Sequence, residues 1–181
     1  MSLISNSKKR RKRKYANFFD WHNKQRKELG VLEDFVKSLR FRNEAFLSSC
    51  QIYEKDPPDC LAYDEKGNIV AFEIVELVSE EAVINSEKGE NLIHYWENEE
   101  VVEKIQSILR KKDRKQFNGG PYSRIILLIF TDEYTLSYQR CLPIFSSKIF
   151  KNISQTNEAF LLFSFDPYEN HCPYIRLLLS K

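Results

Sequence analysis

Glycine and histidine are scarce in this chain, and its cysteines are widely spaced. The five glycines build neither kind of Gly-rich loop that cradles nucleotide phosphates, so nucleotide-dependent chemistry has no support in the sequence. The three histidines are isolated and the four cysteines include no Cys-x-x-Cys pair, which argues against a zinc knuckle or a dense disulfide framework. No serine lies in a Gly-x-Ser-x-Gly elbow, the most recognisable element of a hydrolase triad.

Long apolar segments are also absent. The longest uninterrupted apolar run, Ile125 to Phe130, is far too short to cross a bilayer. The basic N-terminus leads into an aromatic and polar stretch at residues 15–21 rather than into the apolar segment of a secretory signal. The chain has 181 residues, 42% of them hydrophobic, and can bury a core of ordinary size. We therefore expect a soluble, cytoplasmic protein with reduced thiols and no membrane partner.

The charges are distributed unevenly, although the formal net charge is only +2. Seven consecutive cations precede the first acid, Asp20, and the rest of the chain carries 21 basic against 26 acidic residues. Such a run of like charges cannot pack, so we predict a disordered basic arm at residues 1–14 and a single domain at residues 15–181. The arm can neutralise phosphates of nucleic acid, or it can act as a solubilising or targeting tail. The predicted nucleic-acid-binding residues are Lys8, Lys9, Arg10, Arg11, Lys12, Arg13 and Lys14.

The most informative segment contains two acids on either side of a turn. The sequence predicts a short strand, a turn at Asp64 to Asn68 and a longer apolar strand, with Asp59 at the mouth of this hairpin and Glu73 inside an aliphatic run. Burying an unpaired carboxylate costs roughly several kcal/mol, so Glu73 must be protonated, ion-paired, hydrogen-bonded or bound to a cation. Closure of the turn brings Asp59 and Glu73 side by side, where they predict a site for Mg²⁺ or Mn²⁺.

The Pro58-Asp59 pair, the hairpin and the acid Glu73 on the next strand resemble the metal-binding core of the PD-(D/E)XK nuclease superfamily, which has the restriction-endonuclease-like fold. The resemblance implies that Asp59 and Glu73 hold the metal, with the main-chain carbonyl of Ile74 as a further ligand. The chain departs from the superfamily pattern at Val75, where a lysine is usual. Branches of the superfamily with a hydrophobic residue there take their lysine from a following helix.

A helix at about residues 91–117 is expected to supply that lysine. Its buried stripe continues at Lys112, and Lys104 and Lys111 flank the stripe. A lysine at the end of an apolar stripe usually extends its ammonium group to water. Because Val75 leaves the acidic pair without its usual cation, we predict Lys112 as the catalytic lysine.

A third acid is expected from the N-terminal part of the domain. Residues 22–39 carry apolar side chains at helical spacing, and Glu33 lies next to this stripe. In the superfamily that the chain resembles, a Glu on the first helix often completes the acidic cluster, so Glu33 is the predicted further metal ligand. Glu44, in a predicted short helix or turn at residues 43–51, is the competing candidate.

The order of predicted elements indicates an α/β fold. We expect a mixed central β-sheet flanked by helices, restriction-endonuclease-like, because the pattern is helix, hairpin, helix, strand, helix and two strands. The residues after the hairpin, 79–89, show no clear period. The remaining predictions are a strand at 124–131, a helix interrupted near Pro143 within 134–152, and strands at 159–165 and 174–179.

Two functions follow from these residues. In the first, the protein is a metal-dependent nuclease that hydrolyses phosphodiester bonds of nucleic acid, with DNA as the expected substrate. In the alternative, it is a catalytically inactive protein of the same fold that binds nucleic acid or a protein partner, and Glu73 pairs with an arginine such as Arg124 or Arg176. A homodimer is compatible with either function, and the sequence does not fix the oligomeric state.

Overall fold

A computed structural model describes residues 23–88 and 93–181, so the basic arm predicted at residues 1–14 lies outside the described residues. The described part of the chain contains four helices and seven strands. The helices are α1 (Lys24–Phe41), α2 (Glu80–Glu87), α3 (Asn98–Asp113) and α4 (Tyr138–Phe145). The strands are β1 (Leu47–Ile52), β2 (Cys60–Asp64), β3 (Ile69–Glu76), β4 (Arg124–Thr131), β5 (Ile149–Lys151), β6 (Glu158–Phe163) and β7 (Tyr174–Ser180).

The strands form one mixed sheet in the order β1-β2-β3-β4-β6-β7-β5. The pairs β1–β2, β2–β3 and β6–β7 are antiparallel, whereas β3–β4, β4–β6 and β5–β7 are parallel. The crossover from β3 to β4 passes through α2 and α3, as a parallel connection requires. The predicted fold class, an α/β protein with a mixed sheet flanked by helices, is therefore confirmed.

Helices cover both faces of the sheet, and alternate strand residues face opposite sides. Phe72 of β3 and Ile126 of β4 pack in one core with Phe35 of α1. Leu127 of β4 packs in the other core with Ile105 of α3. The central strands are buried on both faces, which explains why their sequences are nearly continuous apolar runs.

Several predicted elements occur in the structure. The prediction of a strand at residues 124–131 is confirmed by β4, and the hairpin is confirmed by β2 and β3. The helix predicted at residues 22–39 corresponds to α1, and the last two predicted strands correspond to β6 and β7 within one or two residues.

Other elements differ from the prediction. Residues 43–51 were expected to form a short helix or turn, but Leu47–Ile52 form the edge strand β1, which is held by antiparallel pairing with β2. The segment after the hairpin contains α2, and the long helix predicted to end at residue 117 ends at Asp113. The helix predicted at residues 134–152 is also shorter, because its last part forms β5 beside β7.

All four cysteines are free thiols. Cys60, Cys141 and Cys172 are buried, whereas Cys50 on the edge strand β1 is half-buried. None of the described helices combines the length and the apolar character needed to span a bilayer.

Candidate metal centre

The hairpin brings Asp59 and Glu73 together. Cys60 pairs with Phe72 across the two strands, and the Asp59 amide donates to the Phe72 carbonyl at 3.0 Å. Continuing this register by one residue places Asp59 opposite Glu73, as the sequence predicted. The Asp59 carboxylate also accepts a hydrogen bond through Oδ2 from the Ile74 amide at 2.7 Å. Both acids are buried, with exposed fractions of 4% for Asp59 and 1% for Glu73.

A third carboxylate, that of Asp56, completes an acidic cluster. One oxygen from each of Asp56, Asp59 and Glu73 lies within 4.8 Å of the other two. Asp56 is exposed, so the cluster is open to solvent on its side. We call these three residues the acidic cluster.

Helix α3 places two lysines at Glu73. Lys112 Nζ donates to Glu73 Oε1 at 2.6 Å, and Lys115 Nζ donates to the same oxygen. Val75, two residues after Glu73 on the same face of β3, packs against the core beneath α3. Position 75, where the superfamily pattern has a lysine, thus packs against the hydrophobic core. Lys112 reaches Glu73 from α3 instead.

The second oxygen of Glu73 is buried and unpaired. Glu73 Oε2 has no hydrogen-bond partner among the described residues, although it is shielded from water. An unsatisfied buried carboxylate oxygen is costly, so such atoms call for a ligand or an ion. A divalent cation held by the acidic cluster would satisfy it.

Helix α1 contributes Glu28 rather than Glu33. Glu28 is 2% exposed, feels the charge of Asp59 and pairs with Lys24 Nζ at 3.2 Å. Lys24 Nζ also lies 4.0 Å from a carboxylate oxygen of Asp59. Glu33 is exposed because five residues rotate a helix by about 140°, which turns it away from the face that holds Glu28.

Neither competing acid joins the cluster. Glu33 lies near Cys50 of β1, whose pKa is raised by burial and then by the charge of Glu33. Glu44 accepts a hydrogen bond from the Tyr174 hydroxyl at 2.6 Å and pairs with Arg42. The structure therefore brings together Asp59, Glu73 and Lys112 of the predicted site residues, and it does not bring Glu33 or Glu44 to them.

The remaining predicted residues have other positions. Arg124 and Arg176 both pair with Glu158, so neither is the partner of Glu73. Lys104 pairs with Glu80 on the surface. Ile74 donates its amide to Asp59, and the use of its carbonyl as a ligand stays a prediction. The seven cations of the arm lie outside the described residues.

Burial and like charge raise the pKa values of Glu28 and Asp59. The pKa of Glu28 rises to about 7, chiefly because burial disfavours its charged form and then because the charge of Asp59 repels it. The pKa of Asp59 is raised by burial and by the charge of Glu73, against the opposing hydrogen bond from the Ile74 amide. Burial lowers the pKa of Lys115, but the hydrogen bond and charge of Glu73 outweigh it and raise the pKa above its ordinary value. Near neutral pH Glu28 is therefore only partly ionised.

A second loop fixes the Asp56–Asp59 segment. The side-chain amide of Asn118 donates to the carbonyls of Lys55 and Asp56 at 3.2 and 3.1 Å. The main-chain amide of Asn118 donates to the Pro57 carbonyl at 2.8 Å. The loop after α3 thereby holds two members of the acidic cluster in place.

Sequence reasoning missed Glu28, Asp56 and Lys115. A signal for Glu28 was present, because positions 28, 32, 35 and 39 share one helical face and the first of them is acidic. Lys115 gave no such signal, because it follows the helix and its position depends on the turn in which its amide donates to the Lys112 carbonyl.

The chain matches no family model, no curated protein and no solved structure. A function for it is therefore inferred from its own side chains.

Proposed function

We propose that this protein is a Mg²⁺- or Mn²⁺-dependent nuclease that hydrolyses phosphodiester bonds, with DNA as the first substrate to test. The observation that carries the proposal is Glu73 Oε2, a buried oxygen without a hydrogen-bond partner among the described residues. It belongs to a carboxylate that shares an ion-sized space with Asp56 and Asp59.

The donors of the acidic cluster suit a hard divalent cation. Carboxylate oxygens are the ligands that Mg²⁺ and Mn²⁺ prefer, and a water-facing member such as Asp56 leaves room for solvent and substrate ligands. Asp59, Glu73 and Asp56 would hold the ion, with the Ile74 carbonyl as a further ligand by resemblance to the PD-(D/E)XK superfamily. When bound, such an ion supplies a Lewis acid for the phosphate and lowers the pKa of a bound water.

The lysines and Glu28 have separate tasks in this proposal. Lys112 and Lys115 present two ammonium groups at Glu73, where they can stabilise negative charge that develops on a phosphate. Glu28 can accept or release a proton near neutral pH, because its pKa of about 7 lies close to the working pH.

Cleavage assays on the full chain test the proposal. Plasmid and linear DNA are incubated with Mg²⁺, Mn²⁺ or chelator, and we expect metal-dependent cleavage that falls by about 10²-fold or more in Asp59→Asn and Glu73→Gln. Glu33→Gln is the matched control, since it removes an exposed carboxylate of α1 outside the acidic cluster. Cleavage that persists unchanged in both cluster variants would reject the site.

Lys112→Met separates a catalytic lysine from one that only balances charge. We expect kcat to fall by about 10- to 100-fold, while Mn²⁺ binds no more weakly because a competing cation has been removed. Lys104→Met is the control, since Lys104 pairs with the exposed Glu80. An unchanged kcat in Lys112→Met would remove this lysine from the mechanism.

One observation favours the inactive alternative. Lys24, Lys112 and Lys115 surround Asp59 and Glu73, so the acids have cationic partners without any metal. Under this second proposal the cluster is a structural ion network in a protein that binds nucleic acid or a protein partner. Calorimetric titration with Mn²⁺ separates the two, because a structural network gives no binding that depends on Asp59 and Glu73.

A further inference from the structure

A basic cleft runs along the side of α3 that faces away from the sheet centre. It lies between α3 and the segment that leads into β5, and it has a volume of about 610 Å³. A second hollow of about 410 Å³ adjoins it through the shared residues Arg110 and Arg114. The lining residues that matter here are Glu103, Gln106, Arg110, Lys111, Arg114 and Lys148. We call this feature the α3 cleft.

The cleft is a built feature of the fold. Gln106 of α3 makes two hydrogen bonds to the main chain of Lys151, at 3.2 Å through its amide nitrogen and at 3.3 Å through its oxygen. Further along, the Asp113 carboxylate accepts from the amides of Ser154, Gln155 and Thr156. These bonds fix the two walls relative to each other.

The charges of the cleft are predominantly positive and largely unpaired. Arg110, Arg114 and Lys148 are exposed and form no salt bridge with any acid whose side chain the structure describes, and Lys111 beside them is exposed as well. Asp113 lies in the wall of the adjoining hollow, where its two oxygens accept main-chain hydrogen bonds and form no salt bridge with Arg110 or Arg114, so its charge offsets these cations only at a distance. Among the described residues that line the main hollow, Glu103 at the far end is the single acid, and it opposes four cations.

The shape and composition of the cleft favour one class of partner. A flat bilayer surface fits poorly into a concave groove. A protein partner usually needs apolar or aromatic anchors, whereas Val102 is the one apolar residue among the described residues of the lining. A row of unpaired cations along a groove matches a chain of phosphates. From residue 103 to residue 114 the helix rises about 16 Å, which corresponds to about five nucleotide steps of a duplex strand.

The end of α3 carries cations for both the cleft and the acidic cluster. Arg110, Lys111 and Arg114 line the cleft, whereas Lys112 and Lys115 of the same segment contact Glu73. The end of α3 therefore presents cations to two sites separated by about one helix diameter, roughly 10 Å.

We propose that the α3 cleft binds the phosphodiester backbone of a nucleic acid and guides the strand towards the acidic cluster. The binding step stands on the cleft alone, and the guidance of a substrate rests on the proposed nuclease function. The partner is a nucleic-acid strand bound without sequence preference, because the lining offers charges rather than a set of groups matched to base edges.

Binding in chelator tests the cleft without any turnover. Fluorescence anisotropy with labelled single- and double-stranded 20-mers of DNA and RNA is measured on the full chain across a range of salt concentrations. For Arg110→Glu/Arg114→Glu we expect at least tenfold weaker binding. The slope of log affinity against log salt concentration should fall by about 2, as for the loss of two phosphate contacts. Lys66→Glu/Lys181→Glu, which changes the net charge equally at exposed sites outside the cleft, is the matched control.

The outcomes distinguish this proposal from the nuclease proposal. Cleavage by the unmodified chain is measured separately with Mg²⁺ or Mn²⁺. Cleft-dependent binding without any cleavage by this chain would reject the nuclease and keep the cleft. Equal binding by the cleft variant and its control would overturn the cleft proposal. A stronger, cleft-dependent affinity for anionic vesicles or for a polyglutamate peptide than for any of the four nucleic acids would overturn it too.

Discussion

Glu73 and Glu76 show how one strand gives two similar residues different chemistry. Both lie on β3 and both are buried, with exposed fractions of 1% and 7%. Glu73 faces α3 and contacts two lysines, whereas the pKa of Glu76 is raised to about 8 by burial and by the charge of Asp132. Glu73 is thus paired with cations, whereas Glu76 is mostly protonated and uncharged at physiological pH.

Replacing Glu76 should make stability less sensitive to pH. Between its ordinary value of 4.5 and about 8, the folded state keeps a proton that the unfolded state has lost, so the free energy of unfolding falls as pH rises through this window. The slope for one such group is at most about 1.4 kcal/mol per pH unit. Glu76→Gln removes it, so its melting temperature should match the unmodified chain near pH 5 and exceed it near pH 8.

The exposed Glu65 is the control for that experiment, since Glu65→Gln changes charge without removing a buried carboxyl. Melting curves from pH 5 to pH 9 give the comparison. A Glu76→Gln variant that follows the pH profile of the unmodified chain would contradict the assigned protonation of Glu76.

The residues of the candidate site were predictable to the extent that local patterns determine them. Asp59 and Glu73 follow from hairpin register, and the position of Lys112 follows from a helical stripe. Asp56 and Lys115 lie in irregular segments whose course depends on tertiary contacts, so no period in the sequence marks them. Glu28 is marked in the sequence as an acid on an otherwise apolar face, whereas Glu33, the acid predicted from this helix, lies outside that face.

At the scale of elements, the loop after α3 positions the acidic cluster as well as the helix does. Gly119 has a left-handed φ of +78°, and a Cβ there would overlap the Tyr53 hydroxyl and lie 2.9 Å from the Tyr122 hydroxyl. The Tyr122 hydroxyl donates to the Asn118 carbonyl. Alanine at this position would strain the left-handed backbone and displace the two tyrosine hydroxyls, and Tyr53 belongs to the segment between β1 and β2 that carries Asp56.

Gly119→Ala should cost more stability than Gly67→Ala. Both positions have a φ of +78°, but a Cβ at Gly67, on the hairpin turn, would meet no atom within 4 Å. The left-handed conformation alone costs about 1–2 kcal/mol with alanine, and overlap with the tyrosines should add about 1–3 kcal/mol at Gly119. Urea unfolding of both variants gives the difference, and equal losses would show that the loop contact is not tight.

The elements that the sequence predicted are those with strong internal patterns. β4 is a continuous apolar run and α1 has a clear stripe, so both were found. β1 and β5 are edge strands. β1 has three exposed residues and β5 has only three residues in all, so pairing with a neighbouring strand determines them rather than a local pattern. The residues of α2 carry little periodicity, and their helix was missed for that reason.

At the scale of the whole molecule, positive charge is concentrated away from an acidic body. Residues 8–14 hold seven of the 28 basic residues, and the α3 cleft holds four more cations on one side of the described fold. Under the nuclease proposal, the acidic cluster keeps its carboxylates for a cation while the arm and the α3 cleft supply the attraction for phosphate.

Removal of residues 1–14 should change binding more than turnover. Loss of seven cations should reduce the slope of log affinity against log salt by up to about 6, while cleavage at saturating substrate should persist because the acidic cluster is intact. Anisotropy titrations and single-substrate kinetics on the shortened chain check both parts. Loss of turnover at saturating substrate would contradict this division of roles.

Because three thiols are buried, their reaction with an alkylating reagent reports unfolding of the protein. Burial raises the pKa of Cys60, and it raises the pKa of Cys141 and of Cys172 to about 11, so little thiolate exists at neutral pH while the fold is intact. An alkylating reagent should therefore modify Cys50 first and the other three cysteines when the chain unfolds. Intact-mass spectra of iodoacetamide-treated samples would then count unfolded molecules directly, without any attached dye.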